Sequence, residues 1–169
     1  MGRPIYLGAP GTSAGGNSIR RSTQMKTSTA IQGGCLCGRV RYRITGPLFN
    51  ADNCHCSMCR RQHGAAYSTY ADFDPGDFRW ICGAEFVKTY SPREGGGWCF
   101  CSECGSSLAG TEDGRVTSIT LGTVEGDPGT RPRLHIFTGS RAPWHQIADD
   151  LAQFEERPPP DWQPPGKAS

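Results

Sequence analysis

Seven of the nine cysteines in this 169-residue chain fall into three tight knuckles: Cys35-Leu-Cys37, Cys54-His-Cys56-Ser-Met-Cys59 and Cys101-Ser-Glu-Cys104. On extended backbone the two side chains of a C-x-C pair point to the same side. A C-x-x-C turn, here followed by Gly105, brings two sulfurs within reach of one tetrahedral centre. Cysteines packed this closely in sequence are poorly placed to bridge one another. Their number is odd, and no apolar stretch of signal-peptide length, about 7–15 residues, lies near the N-terminus. The expectation is a reducing compartment, the cytoplasm, with thiolates holding zinc.

Zinc takes four protein ligands in closed structural sites and three plus an open position in catalytic ones. Seven thiolates therefore divide as four plus three, which predicts two zinc ions per chain. Cys35, Cys37, Cys101 and Cys104 would join the two ends of the domain. Cys54, Cys56 and Cys59, all from one short loop, would hold an ion with an exchangeable fourth ligand. Spacing alone leaves open which two knuckles pair. Cys82 and Cys99 fall outside the knuckles.

The rest of the chain suits a metal-clipped fold. It is 36% hydrophobic and 20% charged, with 23 glycines and 13 prolines, a lean core with frequent breaks. Glycine and proline at that frequency disfavour long helices. No apolar run approaches the roughly 18 residues that a membrane-spanning helix requires. A net charge of +2 is too small to argue for nucleic acid or an anionic membrane.

Residues 1–29 contain no acidic residue and show neither the helical nor the strand period, so they read as a disordered extension, with Met25 as an alternative start. From residue 30 the text changes. Val40, Tyr42 and Ile44 alternate with Arg39, Arg41 and Arg43, the period of a half-buried strand. Further strands are predicted over 66–71, 85–90, 97–100, 116–121 and 134–137, separated by turn signals such as Asp74-Pro75-Gly76 and Asp113-Gly114. The expected class is all-β, small antiparallel sheets organised around zinc, over residues 30–150. Ile147, Leu151 and Phe154 at helical spacing predict a helix over 147–156. Residues 151–169 read as a Pro-rich tail.

The three knuckles in this order, with Ser140-Arg-Ala-Pro-Trp144 after Leu134-His-Ile-Phe137, resemble the glutathione-dependent formaldehyde-activating family, which shares its domain with centromere protein V. The resemblance covers roughly residues 30–145. It implies a β-tent fold, a structural zinc on Cys35, Cys37, Cys101 and Cys104, and a catalytic zinc on Cys54, Cys56 and Cys59. It also implies the family's carbon–sulfur lyase chemistry, the joining of glutathione and formaldehyde as S-hydroxymethylglutathione.

Other residues carry weaker signals. His63 follows the loop by four residues and is a candidate proton carrier at the open position. His55, between two ligand cysteines, is expected to face away from the metal and support it or pack. Arg60 and Arg61 could offset thiolate charge or bind a substrate carboxylate, or be a solvated pair. His135, Trp98 and Trp144 are expected to pack. A rival to the enzyme is a non-catalytic zinc-stabilised module for protein or nucleic acid, offering the Arg39/Arg41/Arg43 stripe. The small net charge counts against it. A third reading, a redox switch on the loop cysteines, predicts zinc loss under mild oxidant.

Overall fold

The computed structural model describes residues 30–163. The N-terminal extension expected over 1–29 and the last residues of the expected tail lie outside them. Eleven strands and one short helix are present among the described residues: β1 (Ile31–Gly34), β2 (Arg41–Ile44), β3 (Phe49–Cys54), α1 (Ser57–His63), β4 (Ser68–Asp72), β5 (Phe78–Cys82), β6 (Val87–Arg93), β7 (Gly96–Cys101), β8 (Ser107–Glu112), β9 (Arg115–Thr120), β10 (Leu134–Ile136) and β11 (Ala152–Gln153). The all-β expectation holds.

The strands form a three-stranded sheet, β1-β2-β5, and an eight-stranded sheet, β11-β10-β3-β4-β9-β8-β7-β6. All pairings are antiparallel except at one edge, where β10 runs parallel to both β3 and β11. The alternation at residues 40–44 does what its period dictates. Val40, Tyr42 and Ile44 are fully buried, and the intervening arginines face outward. Two of those arginines meet carboxylates: Arg41 pairs with Glu125 at 2.6 Å and Arg39 with Glu103 at 3.8 Å.

The main core lies between the sheets. Tyr42, Ile44 and Phe78 of the small sheet pack in one cluster with Ala71, Leu108 and Ile119 of the large one. Each such side chain contributes on the order of 1.5–3 kcal/mol by leaving water. Tyr42 keeps its hydroxyl satisfied through Thr123 Oγ1 at 2.9 Å, so its burial leaves no orphaned polar atom. A second cluster, Cys54, Cys59, Leu134 and Ile136, sits at the other end of the large sheet with Trp98, Tyr70, Phe137 and Phe154 against it.

Residues 147–156 do not form the predicted helix. Asp149 explains why: its carboxylate accepts from the Leu151 N–H at 3.0 Å and from His135 Nε2 at 3.1 Å. That side-chain turn competes with helical hydrogen bonding. The chain then runs alongside β10 as β11, and Phe154 N–H donates to His135 O at 2.9 Å. Ala152–Gln153, read from sequence as the start of the tail, is therefore part of the large sheet. The one helix, α1, was not predicted. Cys56 is its N-cap, with Sγ accepting from Cys59 N–H, and Gly64 ends it at φ 58° with Arg60, Arg61 and His63 in the last turn. These are ordinary start and stop features on a helix of only two turns.

Candidate metal centre and adjoining cavity

Two groups of cysteines converge, and the pairing of knuckles that spacing left open is resolved. Cys35, Cys37, Cys101 and Cys104 place their sulfurs within 4.8 Å of one another, and so do Cys54, Cys56 and Cys59. No other group of this kind with three or more members occurs among the described residues.

The four-sulfur group joins the loop after β1 to the end of β7. Each knuckle closes on a glycine at positive φ, Gly38 at 76° and Gly105 at 74°, a conformation open to residues without Cβ. Backbone bonds hold the turns: Gly38 N–H to Cys35 O at 3.0 Å and Gly105 N–H to Cys101 O at 2.9 Å. Val40 N–H reaches Cys35 Sγ at 3.2 Å, and Cys37 Sγ lies 3.4 Å from Cys35 and 3.9 Å from Cys101. Ser106 ties the knuckles together, accepting from Leu36 N–H at 3.0 Å and lying 3.3 Å from Cys104 Sγ. That hydroxyl draws the Cys104 thiol down to about 6.

The three-sulfur group comes from one stretch. Cys54 ends β3, Cys56 caps α1 and Cys59 lies in its first turn. Crowding without a cation splits the thiols. Cys56 is pulled down to about 2 by hydrogen bonds from Cys54 and Cys59, while Cys54 is pushed up by both neighbours. Three thiolates this close repel one another, and a cation between them offsets that repulsion. The all-sulfur donor sets of both groups fit a thiophilic ion such as zinc.

His55, between Cys54 and Cys56 in the chain, pairs with His135. Both rings are buried, with His55 Nε2 2.7 Å from His135 Nδ1 and His135 Nε2 3.1 Å from Asp149. An ionised carboxylate only accepts, so the proton of His135 sits on Nε2. Its Nδ1 then accepts from His55 Nε2–H. Burial, then the neighbouring imidazoles, hold His55 down at about 4, so the ring between Cys54 and Cys56 is neutral. Its Nδ1 is buried without a partner. Arg60 is not a free surface group. It donates to His55 O at 3.2 Å and Ser140 O at 3.1 Å, latching α1 to the Ser140–Trp144 segment. Arg61 is exposed.

An open cavity of about 580 Å³ lies against the three-sulfur group, and a smaller one of about 290 Å³ touches Cys35 of the other. Cys54, Cys56, Cys59, Tyr70, Trp98 and Phe137 are among the larger cavity's lining residues. His63 is not one of them. Half-buried at the end of α1, it bonds through Nε2 to the Tyr70 hydroxyl at 2.8 Å, so it meets the cavity through tyrosine. Burial lowers the His63 imidazole and raises the Tyr70 phenol. Trp144, by contrast, is 72% exposed and lies outside the lining. Cys82 is exposed and Cys99 is buried near Thr89 Oγ1; neither joins a group.

The cavity also holds charged residues that sequence reasoning missed: Asp52, Asp72, Glu112 and Arg157. Burial, then the neighbouring Asp72, raises the Asp52 carboxyl to about 7. Nothing local in the sequence marked these four, which come from β3, β4, β8 and the segment after β11.

The family model described as "Glutathione-dependent formaldehyde-activating enzyme" matches residues 30–140. The chain belongs to that family. A Halomonas elongata protein, provisionally named a glutathione-dependent formaldehyde-activating enzyme, is 27% identical over 127 residues, covering 69% of this chain and 80% of the relative. A solved structure of a Rhodobacter sphaeroides protein is 27% identical and covers 57% of this chain and 89% of its own, with a TM-score of 0.46.

Proposed function

We propose that the chain is a cytoplasmic zinc-dependent carbon–sulfur lyase that joins a thiol to an aldehyde carbon and reverses that step, with glutathione and formaldehyde as substrates. The observation that carries this reading is the asymmetry of the sulfur groups: all three sulfur residues of one line the larger open cavity, whereas of the other four only Cys35 lines a smaller one. The family name and the similarly named relative support the substrate pair.

In this reading Cys35, Cys37, Cys101 and Cys104 hold a structural zinc that ties the ends of the domain together. Zinc on Cys54, Cys56 and Cys59 would supply an exchangeable fourth position that holds a substrate thiol as thiolate at neutral pH. Trp98, Ile136 and Phe137 give the thiol an apolar wall that limits access of water. Forward, a carbon–sulfur bond forms, the carbonyl π pair moves to oxygen, and the proton lost from sulfur ends on that oxygen. Tyr70, kept protonated by burial, is placed to donate its hydroxyl proton there. His63 Nε2, 2.8 Å behind it, holds that hydroxyl in place, and the proton released from sulfur to solvent returns to the phenolate.

The experiment is exchange NMR on glutathione and formaldehyde, with and without the zinc-loaded protein. The expected result is faster interconversion with S-hydroxymethylglutathione, lost in Cys56→Ser. An unchanged exchange rate in the presence of the wild-type protein rejects the lyase.

A further inference from the structure

The cavity carries a charge pattern that the thiol-binding reading does not use. Asp52 on β3 and Asp72 on β4 lie on adjacent, paired strands, within electrostatic range of each other. Asp72 takes one hydrogen bond, from Asn50 Nδ2 at 3.3 Å, and feels Glu112. Asp52 is half-buried, accepts no hydrogen bond and joins no ion pair among the described residues. A carboxylate removed from water is costly unless a donor or cation meets it.

The cation present is Arg157, which acts electrostatically on both aspartates without forming a direct ion pair with either. Its guanidinium stands 5.7 Å from the centre of the Phe137 ring, another cavity residue. Phe137 is set there by a left-handed backbone, φ 56°, and by its N–H bond to Glu156 O at 2.9 Å. The same return of the chain that builds β11 thus brings Arg157 to the cavity. Three carboxylates and one guanidinium leave the wall two charges negative when all are ionised. The three sulfurs with a divalent ion would add one more.

A ligand with carboxylates alone would be repelled by such a wall, and an ammonium would be drawn to it. The lone guanidinium, standing beside the acidic pair with its hydrogen-bonding fork uncommitted to a carboxylate, suits one carboxylate. We propose that Asp52, Asp72 and Arg157 form the receptor for an α-amino-acid head on the substrate thiol, the aspartates taking its ammonium and the arginine its carboxylate. This rests on the reading of the cavity as the thiol site and names the class of thiol it accepts. Thiols with that head, the γ-glutamyl end of glutathione among them, are selected over thiols with a carboxylate but no amine.

The test is calorimetric binding of S-methylglutathione to the zinc-loaded full-length protein, against the analogue in which the γ-glutamyl ammonium is replaced by hydrogen. Both probes lack a thiol, so binding reports the head and not the chemistry. The expected result is about tenfold or more weaker binding of the des-amino probe. Asp72→Asn should abolish that discrimination by weakening only the amine-bearing probe. Arg157→Gln should weaken both. Equal affinity for the two probes overturns the proposal, as does failure of both to bind. If discrimination is found but no thiol's reaction with formaldehyde is accelerated, the receptor stands and the lyase falls.

Discussion

The two sulfur groups are built from the same residue type and differ in almost every other respect. Cys35 and Cys37 are more than sixty residues from Cys101 and Cys104, and their turns are closed by Gly38 and Gly105 with Ser106 between them. Cys54, Cys56 and Cys59 lie within six residues, on a strand end and a helix cap, with a cavity in front and a buried His55–His135–Asp149 chain behind. A group that ties distant segments together stabilises the fold. A group that is local, one sulfur short of a closed set and beside a cavity, is free to serve a ligand. Under the proposed function, position relative to the larger cavity, and not the cysteines themselves, separates the two roles.

The largest expected effect follows from cutting the distant group. In the proposed reading Cys101→Ser removes a ligand from the clip, and structural zinc in small domains contributes about 10–16 kcal/mol of apparent binding free energy. The cooperative thermal transition seen by circular dichroism should be lost or lowered by tens of degrees. A melting midpoint within a few degrees of wild type would contradict the clip.

Tyr42→Ala tests the core that the clip secures, and should cost about 3–5 kcal/mol in urea unfolding with metal content unchanged. Loss of metal from the three-sulfur group in that variant would mean the two regions are not separable.

His135→Ala sharpens the other side of the comparison. It leaves His55 Nε2 buried without its partner, at a cost of about 1–3 kcal/mol. His55 lies between Cys54 and Cys56 in the chain, so loosening its ring should weaken metal binding at Cys54/Cys56/Cys59 alone, read by chelator competition. Equal weakening at both groups would remove the claim of a dedicated support.

The smallest effect is expected at Cys82. Exposed and outside both groups, its replacement by serine should change stability by no more than about 0.5 kcal/mol and leave the metal content intact.

Much of this was legible because its causes are local. The period of two at Val40–Ile44 and the glycine after Cys104 act over a few residues, and the structure follows them. The four-plus-three division followed from the count of knuckle cysteines, whereas spacing left the pairing of knuckles open and the convergence of the sulfurs resolves it. What failed was decided by distant partners. The spacing of Ile147, Leu151 and Phe154 suits a helix, yet Asp149 is claimed by His135 and by the Leu151 N–H, and the segment joins β10. β3 is poor in strand formers, with Asn50, Asp52 and Asn53 in its middle, and is held as a strand by pairing with β4 and β10. His63 was expected near the sulfurs, and its link through Tyr70 depends on a strand contact no spacing reveals. Asp52, Asp72 and Arg157 meet only because the chain returns after β11.

The most direct test is native mass spectrometry of the reduced protein and of Cys56→Ser, with collision cross-section read in the same experiment. Two zinc ions in the wild type, and one in a variant of unchanged compactness, is the predicted result. Two ions retained by Cys56→Ser, or one in the wild type, would contradict two separate centres with separate roles.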